Sequence, residues 1–420
     1  MNTTTFKTLP AALALLGLFS IPGYAIADDE SGLHGYLRVG AGSTTSNSGG
    51  PQGCYGLGGN TMKYRLGNEC DAHFEGGYTH ELAAVDGVRY IGTVWVEAHG
   101  NNSEFGDTKL AMNKAYVEAQ GVAPLNGGSA WIGKRYYYRP DIHMLDMQYI
   151  NMNGTGAGLD KVGVGPGELS YAYFKDNDLN TVSARGVLGA ASATRQNLIY
   201  SDVAVNRDGA LDFAATVISA QGDGVDGTAK HNGWQLSVFH KQSKVWGGNN
   251  TVGVQYGEGP GVGPGLGRIG SSGSTLLTPD TTRLRVFDRL AIQPLWNFGM
   301  EAVVLVQRDK SDATGSSTWT TLGARPVYAL SRNVKLALEV GTDRVTVPNG
   351  KAQRLTKITF APMLSAGPGL WSRPELRAFV TYGKWNDAAR AAVNAANNNG
   401  PVYNGGNSGV SYGFQVETWF

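Results

Sequence analysis

Charge is scarce in this chain. Asp, Glu, Lys and Arg make up 16% of 420 residues, and the two signs nearly cancel, leaving a formal net charge of +1. A soluble domain usually carries about a quarter charged residues. Without a basic excess, nucleic acid is excluded as a natural partner. Long apolar runs are missing too. Beyond the N-terminal segment no stretch of about 18 apolar residues occurs, which excludes a membrane-spanning helix. Cysteine is limited to Cys54 and Cys70, too few for a disulfide-rich scaffold or a cysteine-based zinc site. What remains is aromatic and glycine-rich, with 60 Gly, 19 Tyr and 9 Trp in a chain that is 41% hydrophobic. That composition is too apolar for disorder and suits many strands joined by turns.

Residues 1–27 read as an export signal. Lys7 precedes the apolar run Ala11–Phe19, and the segment ends Ala25-Ile26-Ala27 before Asp28-Asp29-Glu30, a small-residue cleavage pattern on a stretch too short to anchor. The expected mature domain is 28–420. Its acidic and basic residues balance once Lys7 is removed. Export makes a disulfide possible, and Cys54 and Cys70, in a Gly-rich segment, are expected to staple one loop.

The mature chain alternates with period two nearly throughout. In Asn333–Gly341, Val334, Leu336, Leu338 and Val340 share one face, with Lys335 and Glu339 on the other. Near the end, Val410, Tyr412, Phe414 and Val416 oppose Ser411, Gln415, Glu417 and Trp419. Seventeen such segments are visible: 33–42, 73–83, 87–98, 114–122, 129–138, 168–176, 195–205, 209–220, 233–243, 250–259, 282–294, 296–309, 318–330, 333–347, 354–366, 375–385 and 410–420. Many are about ten residues, the length of a tilted bilayer-crossing strand, and their connections alternate short and long. The alternation slips by one strand between 139 and 195, and Leu159–Val164 before Gly165-Pro166-Gly167 supplies the missing one. The expected fold is all-β, an eighteen-stranded antiparallel transmembrane barrel. An even count allows closure without a sheet edge.

Lipid demands that the apolar face point outward, so the charged face lines the lumen. Parity places His34, Tyr36 and Arg38 inside, along with Trp419. Closure pairs the first and last strands and makes Tyr36 and Trp419 neighbours at the periplasmic mouth. Trp371 reads as sharing the parity of Glu375 and Arg377 at the same end. Aromatic faces beside charged groups suit a sugar: pyranose C–H faces lie on rings, and hydroxyls exchange water for charge-assisted bonds. Binding at each step must stay weak enough for release. Residues 139–156, polar and Gly-rich, with Arg139, Asp141 and Asp146 near Gln148, are expected to fold inward and narrow the pore.

Several runs carry a resemblance: His34-Gly35-Tyr36-x-Arg38; Lys63–Cys70 (KYRLGNEC); Trp131-x-Gly133-Lys134-Arg135-x-Tyr137-x-Arg139-x-Asp141-x-His143-Met144; Gly154-x-Gly156-Ala157-Gly158-Leu159; Trp371-Ser372-Arg373-Pro374; and Trp419-Phe420. On these the chain resembles the maltoporin family of sugar-specific porins. The resemblance implies an outer-membrane barrel, usually trimeric, with an inward third loop and no cofactor. It implies facilitated diffusion of maltose, maltodextrins or related oligosaccharides over an aromatic slide flanked by polar tracks. By motif, Tyr36, Trp371 and Trp419 fall on slide positions, and Phe105 falls where an aromatic reaches into a neighbouring subunit's pore. Arg38, Arg65, Glu75, Arg139, Asp141 and Asp146 fall on track positions.

The departures bear on selectivity. His73 stands where the slide has tyrosine, Gln148 where the constriction has tyrosine, and Asn113 where a track has arginine. At the mid-chain turn Gly248 and Asn249 replace an aromatic, with Trp246 nearby. A general diffusion porin is therefore the rival reading. An outer-membrane hydrolase would need a Ser–His pair that the sequence does not show. Gly259–Gly267 is a low-complexity loop, and His73 and His80 read as plain strand residues, with no metal pair at fixed spacing.

Overall fold

The computed structural model describes residues 31–46, 52–57, 64–100, 105, 108–182, 188–221, 230–265, 268–395, 403 and 405–420. The expected export signal lies outside these residues. The chain forms β1 (Gly32–Thr44), β2 (Ala72–Val85), β3 (Val88–Gly100), β4 (Lys109–Gln120), β5 (Ser129–Arg135), β6 (Asp141–Ile142) and β7 (Met147–Gln148). It continues with β8 (Gly154–Val164), β9 (Gly167–Val182), β10 (Leu188–Asn206), β11 (Gly209–Gln221), β12 (Gly233–Val245), β13 (Gly248–Glu258) and β14 (Thr282–Leu295). The last are β15 (Phe298–Ser311), β16 (Gly315–Ala329), β17 (Val334–Thr346), β18 (Gln353–Ser365), β19 (Glu375–Trp385) and β20 (Ser408–Trp419).

All but β6 and β7 join one 18-stranded antiparallel sheet. The sheet closes because β1 pairs with both β2 and β20, in a register running from Tyr36 opposite Trp419 to Thr44 opposite Ser411. Each strand thus has two partners, which meets the demand that lipid places on backbone polar groups. One end carries tight turns, such as Asp86-Gly87 with both φ positive (51° and 83°), the geometry of two-residue hairpins. The other end carries the long connections. Outward positions form an apolar band that includes Leu338, Val340, Phe360, Val380 and Phe414, all exposed.

The seventeen expected strands and the inserted eighteenth are present, with boundary differences that have physical causes. Strand β8 begins at Gly154, five residues before Leu159. Its inward positions there are Gly154, Gly156 and Gly158, which carry no side chain to reveal alternation. Their bareness makes room for Phe174 and Trp131. β5 ends at Arg135, not 138, because the chain leaves the wall and enters the lumen. β4 starts at Lys109, earlier than 114, and a bulge opposite Trp95 and Val96 hides its early alternation.

The lumen is not empty. Residues 136–153 fold inward, as expected for 139–156, and carry the β6–β7 hairpin. Ile142, Met144, Leu145, Met147, Tyr149, Ile150 and Met152 are buried against inward-facing Phe239, Phe287, Val303, Leu305 and Trp319. Backbone groups of the loop are held as well. Arg285 Nη1 donates to the Tyr149 carbonyl at 3.0 Å, and Asn151 N donates to the Ile269 carbonyl at 2.7 Å.

The segment between β1 and β2 also dips inside. Tyr64 lies over Gly323 and Gly341, which face each other across β16 and β17, and any side chain there would meet its ring. The Tyr64 hydroxyl reaches Thr321 Oγ1 at 2.5 Å. Cys54 and Cys70 are joined by a disulfide, which closes this segment outside the strand ladder.

Closing a loop of about fifteen residues is worth about 3 kcal/mol in the chain-entropy model. Alkylation of the native protein should label no thiol, and alkylation after reduction should label two. The Cys54→Ala/Cys70→Ala variant should keep its barrel while becoming open to proteolysis between residues 52 and 71.

Candidate functional site

The short-turn end of the lumen gathers the aromatics expected there. Tyr36 and Trp419 are register partners. Trp371 reaches the same place by another route, and this corrects the parity argument. It lies in the β18–β19 turn, four residues before the strand begins at Glu375, so strand alternation does not fix its direction. Its ring meets His143 edge-on at 5.1 Å, and Trp419 meets the same imidazole edge-on at 6.3 Å. His143, from the inward loop, thus links the two tryptophans. Arg373 lies over the Trp419 ring at 4.4 Å, within cation–π range. Tyr36 turns toward His73, with ring centroids 5.7 Å apart.

Beneath the aromatics lies a buried ion network. Glu417 receives Tyr36 Oη at 2.9 Å, Arg65 Nη2 at 3.0 Å, Arg373 Nη2 at 3.1 Å and a contact from Arg377. Arg65 also meets Glu69 at 2.9 Å, while Arg38 meets Glu69 at 2.8 Å and Asp71 at 2.6 Å. The network runs on through Arg325 to Glu301 at 3.0 Å, and through Lys357 to Glu339 at 2.8 Å. Leaving one of these charges buried without its partners would cost several kcal/mol. The reciprocal pairing therefore locks the wall, the first loop and the inward loop together.

The adjoining wall, β2 and β3, is wetter. Side chains of His73, Glu75 and Glu97 keep 18%, 13% and 26% of their accessible surface, whereas those of Lys335, Glu339 and Glu417 keep none. A cavity of about 380 Å³ on that side is lined by residues of β3, β4, β5 and β8, among them Arg89, Glu118, Arg135 and Asp160.

The remaining expected residues fall as follows. Glu75 accepts from Tyr136 Oη at 3.1 Å and contacts a His73 ring nitrogen at 3.0 Å. Arg139 stacks over Tyr136 at 3.9 Å. Asp146 lies 3.7 Å from Arg65. Asp141 uses its carbonyl, which accepts from Arg289 at 3.4 Å. The Gln148 side chain accepts from Asn151. Phe105 is half-buried, and its carbonyl accepts from Thr108 N at 3.3 Å. Asn113 is buried. Trp246 is exposed in the β12–β13 turn, so it does not fill the missing mid-chain slide position.

The sequence reading missed Trp95, Lys114, Tyr136 and the role of His143. Lys114 Nζ sits 3.5 Å over the Trp95 ring and 5.2 Å from that of Tyr136. It supplies a cation beside Asn113, where the family pattern has arginine. Lys114 shares the inward parity of Tyr116 and Glu118, and the bulge in β4 brings Asn113 in beside it.

Burial and Arg65 both push the His143 imidazole toward its neutral form, but contacts to Glu301 and Glu417, each at 3.6 Å, outweigh them and raise its pKa above the ordinary 6.5. A raised folded-state value means the bound proton contributes stability that is fully present below the ordinary value and is lost as pH climbs through the raised one. The hold on the inward loop should therefore weaken as pH rises from about 6.5. Open-channel current noise should grow over that window in the parent protein, and His143→Gln should flatten the dependence.

Among solved structures, the chain is similar to OccAB2 of Acinetobacter baumannii, with 11% identity and a TM-score of 0.50 over 93% of this chain and 98% of that one. It is also similar to the outer membrane protein OprD of Pseudomonas aeruginosa, with 9% identity and a TM-score of 0.49 over 95% of each. An anion-selective porin from Comamonas acidovorans matches at 10% identity and a TM-score of 0.44, over 93% of this chain and all of that one. These likenesses concern the fold alone. At the sequence level, residues 32–420 match the LamB porin family. With its closed eighteen-stranded barrel, apolar outer band and loop-narrowed lumen, the chain belongs to the LamB porin family and forms an outer-membrane channel.

Proposed function

We propose that this channel passes sugars, of the maltose and maltodextrin class or related oligosaccharides, by facilitated diffusion, and that it works as a homotrimer after loss of residues 1–27. The observation that carries the reading is the grouping of half-buried Tyr36, Trp371 and Trp419 beside the Glu417 ion network at the short-turn end of the lumen. Rings there offer apolar faces to a pyranose, and in this reading Arg38, Arg65, Glu75, Asp141 and Asp146 form the polar tracks that exchange bonds with its hydroxyls. Arg139 and Gln148 stand on the loop that bounds the path. Phe105, on the connection before β4, takes the role of reaching into a neighbouring subunit in this reading. His73, Asn113 and Gln148 favour a second reading, a diffusion porin of relaxed selectivity, because each removes a group that the sugar pattern expects.

Each ring buries a large apolar face, so removing one should cost about 1 kcal/mol of sugar binding, a several-fold loss. Trp371→Ala and Trp419→Ala should weaken block of the ion current by maltotriose and by a disaccharide. Gln148→Tyr should shift block toward the longer sugar. If both alanine variants are blocked by every sugar as strongly as the parent, the relaxed-selectivity reading holds instead.

The inward loop sets the constriction in this reading. Deleting residues 139–150 should raise single-channel conductance markedly, and Arg139→Gln should shift ion selectivity toward cations. Unchanged conductance in the deletion would place the constriction elsewhere.

A further inference from the structure

The β2–β3 pair carries a juxtaposition that goes beyond the track role given to Glu75. His73 stands opposite His99, and Glu75 stands opposite Glu97, in direct cross-strand register. Two carboxylates facing each other across a ladder repel. His73 lies against both, with ring nitrogens 3.0 Å from Glu75 and 3.8 Å from Glu97. One ligand atom from each of the three, an imidazole nitrogen and two carboxylate oxygens, lie within 4.8 Å of one another.

We infer that His73, Glu75 and Glu97 form a binding site for a divalent transition-metal cation of the zinc type on the open wall of the lumen. The donor set is one imidazole nitrogen and two carboxylate oxygens. Imidazole favours zinc, copper or nickel over magnesium and calcium, which prefer oxygen-only shells. Glu75 meets His73 Nε2 and Glu97 meets Nδ1, so bonds of about 2.0–2.2 Å to one ion require both carboxylates to draw in around the same ring nitrogen. Two carboxylates and a neutral imidazole balance the ion's charge, which removes the cross-strand repulsion.

The surroundings support the first shell. Tyr136 Oη donates to Glu75 at 3.1 Å and orients it, as outer partners do in metal sites. A second imidazole, His99, lies edge-on to His73 at 5.7 Å and is itself held by Asp71 at 3.2 Å. Three protein ligands leave a fourth coordination position open to water or solute. The site lies beside Tyr36, where an added divalent charge opposes cation flow and narrows the passage.

The test is single-channel current across a planar bilayer, starting from EDTA-washed protein, with ZnCl₂ raised from micromolar to millimolar. The parent current should fall and recover on adding EDTA, while equal MgCl₂ should leave it unchanged. His73→Asn and Glu97→Gln should each raise the half-blocking zinc concentration at least about tenfold. His80→Asn, on the outer face of β2, should keep the parent response. Calorimetric titration of detergent-solubilised protein should give one zinc per chain in the parent and none in Glu97→Gln. Should His73→Asn not insert, Glu97→Gln carries the test, because its own current in EDTA reports an intact barrel. A parent current unaffected by millimolar zinc, or a block equally strong in both variants, overturns the site.

Discussion

The pairing of β1 with β20 is the constraint on which everything else in this molecule rests. In hydrocarbon an unpaired N–H or carbonyl costs several kcal/mol, so the sheet must return to its own first strand. Once closed, alternation leaves no freedom: every second side chain faces lipid and every other one faces inward. The register that places Tyr36 against Trp419 also places Arg38 against Glu417, and β19 then brings Glu375 opposite Glu417. The aromatic mouth and the ion network are thus two products of one closure.

The inward charges create a second requirement. A lumen wall of Arg, Lys and Glu with no water would be unstable unless each charge had partners, and the two inward segments provide them. Arg65 and Glu69 come from the first loop and His143 from the third, so the loops act as ionic partners as well as obstacles. Apolar packing of the third loop on Phe239, Phe287 and Leu305 adds the part that charge cannot.

Much of the architecture was legible because period-two alternation is long, repeated and punctuated. Eighteen strands, their order and the inward side of Tyr36, Arg38 and Trp419 follow from it. Legibility failed where the signal lacked side chains or changed phase. The inward glycines of β8 carry no pattern. The bulge in β4 brings both Asn113 and Lys114 to the buried side, which strict alternation forbids. Trp371 reached the mouth through a turn, where parity has no force. Motif resemblance placed the site residues along the chain but not their partners. Glu417 read as one polar position among several, and only the closed register shows it gathering three arginines. His73 looked like an isolated histidine because its carboxylate companions are two and twenty-four residues away, one of them on another strand.

The two inward segments together lie against the wall from β9 round to β19, and Tyr137 also meets Trp131 of β5. The space they leave is therefore bounded by strand on one side and by loop on the other. A solute threading it meets two unlike surfaces at once and is turned to match them. Orientation is imposed by the asymmetry of the cross-section before any single contact is made.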